Sequence, residues 1–375
     1  MNKDLSRIEI SRKNILSNVE SFKNYLNSET KMVAVVKANA YGHGLAEVAP
    51  VIENYVEYFQ VDDLLELREI RKISNKKTLV LGYVSEKELE EAVVLNGILA
   101  IYDIERMGIL NKIGKRLGVK PKIHIKIDAL LGRQGILTKD LPKFLKDIKD
   151  YKNISIEGIY SHLSSVDIND HSHTNKQMGI FEKSYHMMKQ AGYKNLITHI
   201  SATAGVLENE RGFGDSRLVR LGIGMYGMWP EKSFQKKYGK KINLKPAMRW
   251  VSHIAQVKTL PANHPIGYNL AFVTKKITKI AVIPQGYGDG YDRGFSNNCY
   301  ILVRGKRCRV LGRVAMNMFV VDVSNVFGVK AEDEVVLLGS QGKEEISAEE
   351  LAKRLGTINY EITTRVSPLL PRKIV

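Results

Sequence analysis

Met32-Val33-Ala34-Val35-Val36-Lys37-Ala38-Asn39-Ala40-Tyr41-Gly42-His43-Gly44 is the stretch on which the reading of this chain turns. Its first five residues are apolar and rich in β-branched side chains, which predicts a fully buried strand. A lysine at the carboxyl end of such a strand carries its amine out of a packed core into the loop layer, where ligands bind. A desolvated amine there can form a Schiff base. A strand that merely surfaces at a lysine is the ordinary case, so the continuation decides. Small residues and two glycines let the backbone close on a bound group, and Tyr41 and His43 add aromatic and polar handles.

Outward from this strand, short apolar runs alternate with helix-period segments from about residue 10 to 230, the pattern of βα units around a parallel sheet. Eight candidate strands are readable: Met32–Val36, Tyr58–Val61, Thr78–Leu81, Ile98–Ile101, Lys122–Ile127, Ile154–Ile159, Leu196–Ile200 and Arg217–Leu221. Amphipathic segments such as Arg12–Leu26, Leu64–Lys72, Glu86–Leu95, Leu141–Tyr151 and Asn175–Ala191 separate most of them. This spacing predicts an α/β chain opening with a (β/α)8 TIM-like barrel; an open doubly wound sheet would alternate in the same way. Polar residues gather just after these strands: Lys37, Asp128 with Arg133, Ser161 with His162, Ser201 with Thr203, and Arg220 with Gly222. Barrel active sites lie at that face. Near Trp229-Pro230 the rhythm changes, and Glu231–Lys241 reads as a charged linker. Beyond it, runs such as Met248–Val257, Lys279–Pro284, Tyr300–Val303, Cys308–Val314, Phe319–Val323 and Glu334–Leu338 predict a mainly β C-terminal domain. One helix, Ser347–Leu355, precedes the tail that holds Tyr360. The expected division is a barrel over 10–232 and a β domain over 240–375, to which residues 1–9 could be added.

The chain has 375 residues, and 57 Lys+Arg against 40 Asp+Glu give a formal charge of +17. That length suits two domains with a large core. The basic residues are scattered through helical segments, as on a solvated face, and no nucleic-acid motif accompanies them. A nucleic-acid partner is not expected. Two cysteines, Cys299 and Cys308, are too few for a disulfide framework and lack metal-ligand spacing. No metal is expected, and a reducing cytoplasm fits. The N-terminus has no apolar targeting region, and no run of about 18 apolar residues occurs, so no membrane segment is expected in this chain.

Val35-Val36-Lys37-Ala38-Asn39-Ala40-Tyr41-Gly42-His43-Gly44 closely resembles the pyridoxal-phosphate (PLP) signature of the alanine racemase family, and the resemblance runs in order through both expected domains. It implies that Lys37 holds PLP and is one catalytic acid/base. Arg217-Leu218-Val219-Arg220-Leu221-Gly222-Ile223 resembles the family's Arg-Pro-Gly-Ile segment, which puts Arg220 against the pyridine nitrogen. An arginine cannot readily give up a proton there, because its own pKa exceeds about 12. By the same resemblance Tyr41, Thr203, the Gly222 and Ile223 amides and Tyr360 hold the phosphate, Thr203 standing where the family has serine. Tyr268, in Pro265-Ile266-Gly267-Tyr268, matches the second catalytic base, which reaches the barrel of the other subunit of a homodimer with shared active sites. His162 matches the histidine that joins this tyrosine to the arginine. Arg133 matches the arginine that positions substrate, and Lys126 falls where many members carry a carbamylated lysine, although Ala129-Leu130-Leu131 replaces the usual Thr-Gly-Met. Tyr287 matches a tyrosine at the substrate entrance, and Met316-Asn317 matches the family's Met-Asp.

Asparagine for aspartate at 317 replaces an acceptor-only anion by a neutral group that also donates, which would suit a hydroxymethyl side chain. The serine racemases of vancomycin-resistance operons are similar in carrying asparagine there, and in them the catalytic portion follows a membrane domain; this chain reads equally as such a cytoplasmic portion. The resemblance therefore implies a PLP-dependent racemase acting on the small amino acids alanine and serine, supplying D-amino acids for peptidoglycan precursors. The alternatives are an alanine racemase without serine activity, a fold-related PLP decarboxylase, and a non-catalytic PLP carrier. Related decarboxylases present an acid rather than an arginine to the pyridine nitrogen, and the carriers resemble the barrel alone.

Overall fold

The computed structural model describes residues 5–166, 168–208 and 216–375. Residues 1–4, part of the segment that could join the C-terminal domain, lie outside them. The chain divides into two units: Ile15–Ala38 with Val48–Lys245, and Asn39–Glu47 with Pro246–Val375 and the residues up to Asn14.

In the first unit eight parallel strands close on themselves. Their order is Gly97–Ile101, Thr78–Val80, Tyr58–Val61, Thr30–Val35, Ser216–Leu221, Ile197–His199, Ser155–Tyr160 and Lys122–Asp128, and the last pairs back with the first. The open-sheet alternative is thereby excluded. Strands covered on both sides are built mostly from apolar residues, and Tyr58–Val61 and Gly97–Ile101 are buried at every position, Gln60 included. Aspartates set the helix starts after two strands: Asp63 accepts the Glu66 amide and Asp103 the Arg106 amide, satisfying N–H groups that a helix leaves open. The interior is apolar where Val33, Tyr58, Leu79, Ile98, Ala100 and Leu218 pack together. On the Lys122–Asp128, Ser155–Tyr160, Ile197–His199 and Ser216–Leu221 side it is polar, with His124, Lys126, His199 and Arg220 all buried.

Glu231–Lys241, expected to be a linker, is structured. Lys232–Tyr238 is a helix that buries Phe234 and Tyr238, the latter edge-on to Tyr25 at 6.4 Å between ring centroids. The charges suggested a solvated segment, but two aromatics four apart give it a face to pack.

The second unit is one long, mainly antiparallel sheet. Its order is Gln256–Leu260, Thr278–Ile283, Phe319–Asp322, Lys306–Leu311, Tyr300–Val303, Glu334–Gln341, Met248–His253, Arg7–Ile10 and Arg372–Ile374. The run Met248–Val257 is broken into two strands at Ile254-Ala255. Arg7–Ile10 pairs antiparallel with Met248–His253 and parallel with Arg372–Ile374, so an early and a late segment of the chain are neighbours in this sheet. Among the described residues no helix is long and apolar enough to cross a membrane.

Candidate active site

Lys37 follows Thr30–Val35, and that strand pairs with Ser216–Leu221 in the register Ala34 to Leu221. The two βα loops that carry Lys37 and Gly222-Ile223 are therefore neighbours at the carboxyl face of the barrel, where the resemblance expects a cofactor. Lys37 Nζ lies 3.3 Å from Asp62 Oδ1, and both side chains are partly exposed. Glu66 ties down the loop behind them, accepting the Ala38 amide at 2.6 Å and the Asp62 amide at 2.8 Å. Asp62 and Glu66 escaped the sequence reading, because a carboxylate after a strand and another in the next helix carry no signal by themselves.

Arg220 is 3% exposed, and four hydrogen-bond partners hold its two terminal nitrogens. Nη2 donates to the Ser161 and Ile200 carbonyls at 2.9 and 3.0 Å and meets His162 Nδ1 at 3.0 Å, while Nη1 meets His199 Nδ1 at 2.6 Å. Burial, then the charges of Arg220, Arg133, Lys126 and Lys37, hold His162 down to about 3, so it is a neutral ring beside a fixed cation. Lys126 is buried and donates to Gln134 Oε1 at 3.1 Å. Burial, then Arg133 and Arg220, lower it to about 8. Several cations thus bear on one face of the barrel, a field that calls for an anion. Arg133 itself is exposed, in a loop fixed where the Leu131 and Gly132 amides donate to Asp128 Oδ1.

Thr203 is buried and accepts the Gly224 amide through Oγ1 at 3.3 Å. A side chain at Gly224 would run into the Phe22 ring at 2.7 Å, so only glycine lets the 222–226 turn pack this closely. Thr203, Gly222 and Ile223 therefore come together, as a phosphate cradle requires.

The backbone of the segment after Lys37 shows why its sequence is unusual. Ala38, Asn39, Ala40 and Tyr41 have φ of 52, 52, 54 and 54°, a left-handed turn made without glycine. Such backbone costs about 1–2 kcal/mol per residue and persists only when its surroundings enforce it. The enforcement is visible: a Cβ on Gly42 would sit 1.9 Å from the Thr363 carbonyl oxygen, and Arg372 donates to the Gly42 carbonyl at 2.9 Å. The turn brings the Tyr41 ring to 6.0 Å from Tyr360. Tyr360 lies in a helix, Asn359–Thr364, rather than in a tail. His43, read as a handle for a ligand, is buried with Nδ1 at 3.1 Å from the Tyr41 carbonyl; burial lowers it to about 4, and it supports the turn from inside.

Tyr287, Met316 and Asn317 also meet. The Tyr287 and Gly288 amides donate to the Ala315 and Met316 carbonyls at 3.1 and 2.9 Å, and a Cβ on Gly288 would lie 3.5 Å from Asn317 Nδ2. Tyr268 follows Gly267 and is 69% exposed, with Leu270 and Met316 also open to solvent.

Both halves of the chain match known models: residues 10–230 that of the alanine racemase N-terminal domain, and residues 247–374 that of the C-terminal domain. The alanine racemase of Methanococcus maripaludis is 36% identical over 97% of each chain. The solved structure of the Clostridium difficile 630 alanine racemase superposes with a TM-score of 0.92 at 30% identity, covering 100% of this chain and 97% of that one. The Bartonella henselae alanine racemase, solved with covalently bound pyridoxal phosphate, superposes at 0.87 over 100% of both chains; at 23% identity this is a likeness of fold.

Proposed function

Because the chain belongs to the alanine racemase family, whose members depend on pyridoxal phosphate, we propose that it interconverts L- and D-alanine, and L- and D-serine as well, by a two-base mechanism in a homodimer. The observation that carries the reading is Arg220: a buried arginine, held through its terminal nitrogens, on the strand beside the one that leads to Lys37. A decarboxylase of this architecture would need an acid there.

Pyridoxal phosphate supplies an electron sink that acidifies the α-proton of a bound amino acid. Lys37 holds the cofactor through its amine and moves a proton at the α-carbon from one face. Tyr268 of the partner subunit moves it from the other, since inversion needs a group on each face. A phenol with an ordinary pKa near 10 is a poor resting base, and His162, neutral and accepting from Arg220 through Nδ1, is the group proposed to link the phenol to that arginine's positive charge. Arg220 would face the pyridine nitrogen and, holding its protons too tightly to transfer one, would keep the sink partial. Thr203, the Gly222 and Ile223 amides, Tyr41 and Tyr360 bind the phosphate, and Arg133 orients the substrate carboxylate. Tyr287, Met316 and Asn317 line the substrate approach. The product would feed peptidoglycan precursor synthesis. A D/L conversion assay on alanine, serine, lysine and arginine, with carbon dioxide release monitored, tests the reaction; borohydride trapping followed by peptide mapping tests the lysine. Label on any lysine but Lys37 contradicts the assignment.

Lys126 is proposed to carry a carbamate that orients Arg133. At a pKa of about 8 a sizeable fraction of its amine is unprotonated and nucleophilic. The nitrogen bonds carbon dioxide and a proton leaves, so a cation among cations becomes an anion. A carbamate carbon signal from protein equilibrated with 13C-bicarbonate, absent in Lys126→Gln, is the expected result.

Asn317 supports the serine reading. Asn317→Asp removes a donor that a serine hydroxyl can use and an alanine methyl cannot. The ratio of kcat/KM for serine over alanine should fall roughly two- to tenfold, the worth of one neutral hydrogen bond. An unchanged ratio in a folded, cofactor-loaded variant would show that Asn317 does not read the side chain.

A further inference from the structure

We infer that His124 and His199 form a one-way hydrogen-bond relay inside the barrel that positions Arg220, with His124 as its anchor. The direction follows from a single property: a guanidinium has no acceptor. Arg220 Nη1 lies 2.6 Å from His199 Nδ1, so that nitrogen must accept, and the His199 proton sits on Nε2. His199 Nε2 lies 2.7 Å from His124 Nδ1, which must therefore accept in turn. His124 carries its own proton on Nε2, and that atom, wholly buried, has no partner among the described residues. Each ring is left with one neutral tautomer. A proton added to either would place N–H against N–H, and burial with the Arg220 charge already pushes both rings far below their usual range.

The surroundings are shaped for this pair. The Tyr160 ring stacks on His199 at 4.8 Å and 7°. The pairing of Lys122–Asp128 with Ser155–Tyr160 slips between Ile123 and His124, which sets Gly158 opposite His124. A Cβ at 158 would come within 2.8 Å of the His124 ring, so glycine is what admits an imidazole there. Without an acceptor at 124, His199 would have a buried donor with no partner, and its other tautomer would turn a proton on Arg220. His124 thus fixes the lone pair that holds the guanidinium, and acts on the reaction only through Arg220. The inference rests on the proposal that Arg220 faces the pyridine nitrogen.

The test uses the holoenzyme with 15N-labelled histidine, together with His124→Leu and His124→Asn. Wild type should show His124 and His199 neutral and protonated on Nε2 down to about pH 6, where an ordinary histidine gains a proton. His162, which meets the same guanidinium through Nδ1, should give a third such signal, distinguished by assignment through single-histidine substitutions. His124→Leu should lower kcat roughly tenfold, the scale of one unsatisfied buried donor, with substrate KM within about twofold. His124→Asn, whose amide oxygen falls near the position of Nδ1, should recover most of that loss and restore the His199 tautomer signal. A cationic or Nδ1-protonated His199 in wild type overturns the relay without any variant having to fold, as does a folded His124→Leu enzyme with unchanged kcat. Arg220→Lys separates the two ideas. If it leaves the absorption of the bound cofactor unchanged while the tautomers are as stated, the relay stands and the placing of Arg220 fails. If Arg220→Lys shifts that absorption while the leucine variant keeps wild-type tautomer signals, the relay fails.

Discussion

Lys37→Ala is expected to lower racemisation of alanine by at least about 10³-fold in both directions, because one side chain is asked both to hold the cofactor and to move a proton. A positioned acid/base alone contributes roughly 10²–10⁴-fold, and loss of covalent attachment removes orientation as well. The protein should remain folded, since the Lys37 side chain is partly exposed and its one described ion pair, with Asp62, lies at the surface. Such a pair is worth little. Circular dichroism and a thermal melt would check the fold while a coupled assay reads the rate. Activity within tenfold of wild type would remove Lys37 from the chemistry.

The second large effect concerns assembly. Tyr268→Phe should cost about 10²–10⁴-fold by removing the other acid/base, and the loss should be reparable without restoring the hydroxyl to that chain. If Tyr268 serves the barrel of its partner, mixing Lys37→Ala with Tyr268→Phe subunits yields hybrid dimers in which one of two sites has both residues intact. After complete exchange about a quarter of all sites would be wild type. Activity should rise towards that fraction from two inactive preparations. Exchange shown by mass spectrometry with no recovery of activity would mean that the two residues do not meet across subunits.

The barrel was largely legible in the sequence, because strands covered on both faces are mostly apolar and eight such runs alternate with helix-period segments. The polar residues just after these strands were legible because they gather where the apolar runs stop, although buried polar residues such as Gln60, His124 and Thr198 also lie within the strands. What escaped depends on partners far away in the chain. Arg7–Ile10 is four residues whose pairing with Arg372–Ile374 spans nearly the whole sequence, and no local period marks it. The left-handed turn at 38–41 runs against intrinsic preference at four consecutive positions; tertiary packing alone selects it. His124 could have been found: it stands two residues before Lys126 on one strand, so both side chains must point to the same face, and a buried lysine makes that face polar.

The segment Asn39–Glu47 has a consequence for recombining this protein with its relatives. It lies early in the chain, between two parts of the barrel, yet belongs to the C-terminal unit, where Gly42 is pressed against Thr363 and tied by Arg372. A crossover placed near residue 245 would pair one parent's turn with another parent's helix and strand. A tolerated chimera must inherit Asn39–Glu47 from the same parent as Pro246–Val375, so the unit of exchange is discontinuous. Families of this architecture should therefore diverge by substitution within both segments together more readily than by swapping whole domains.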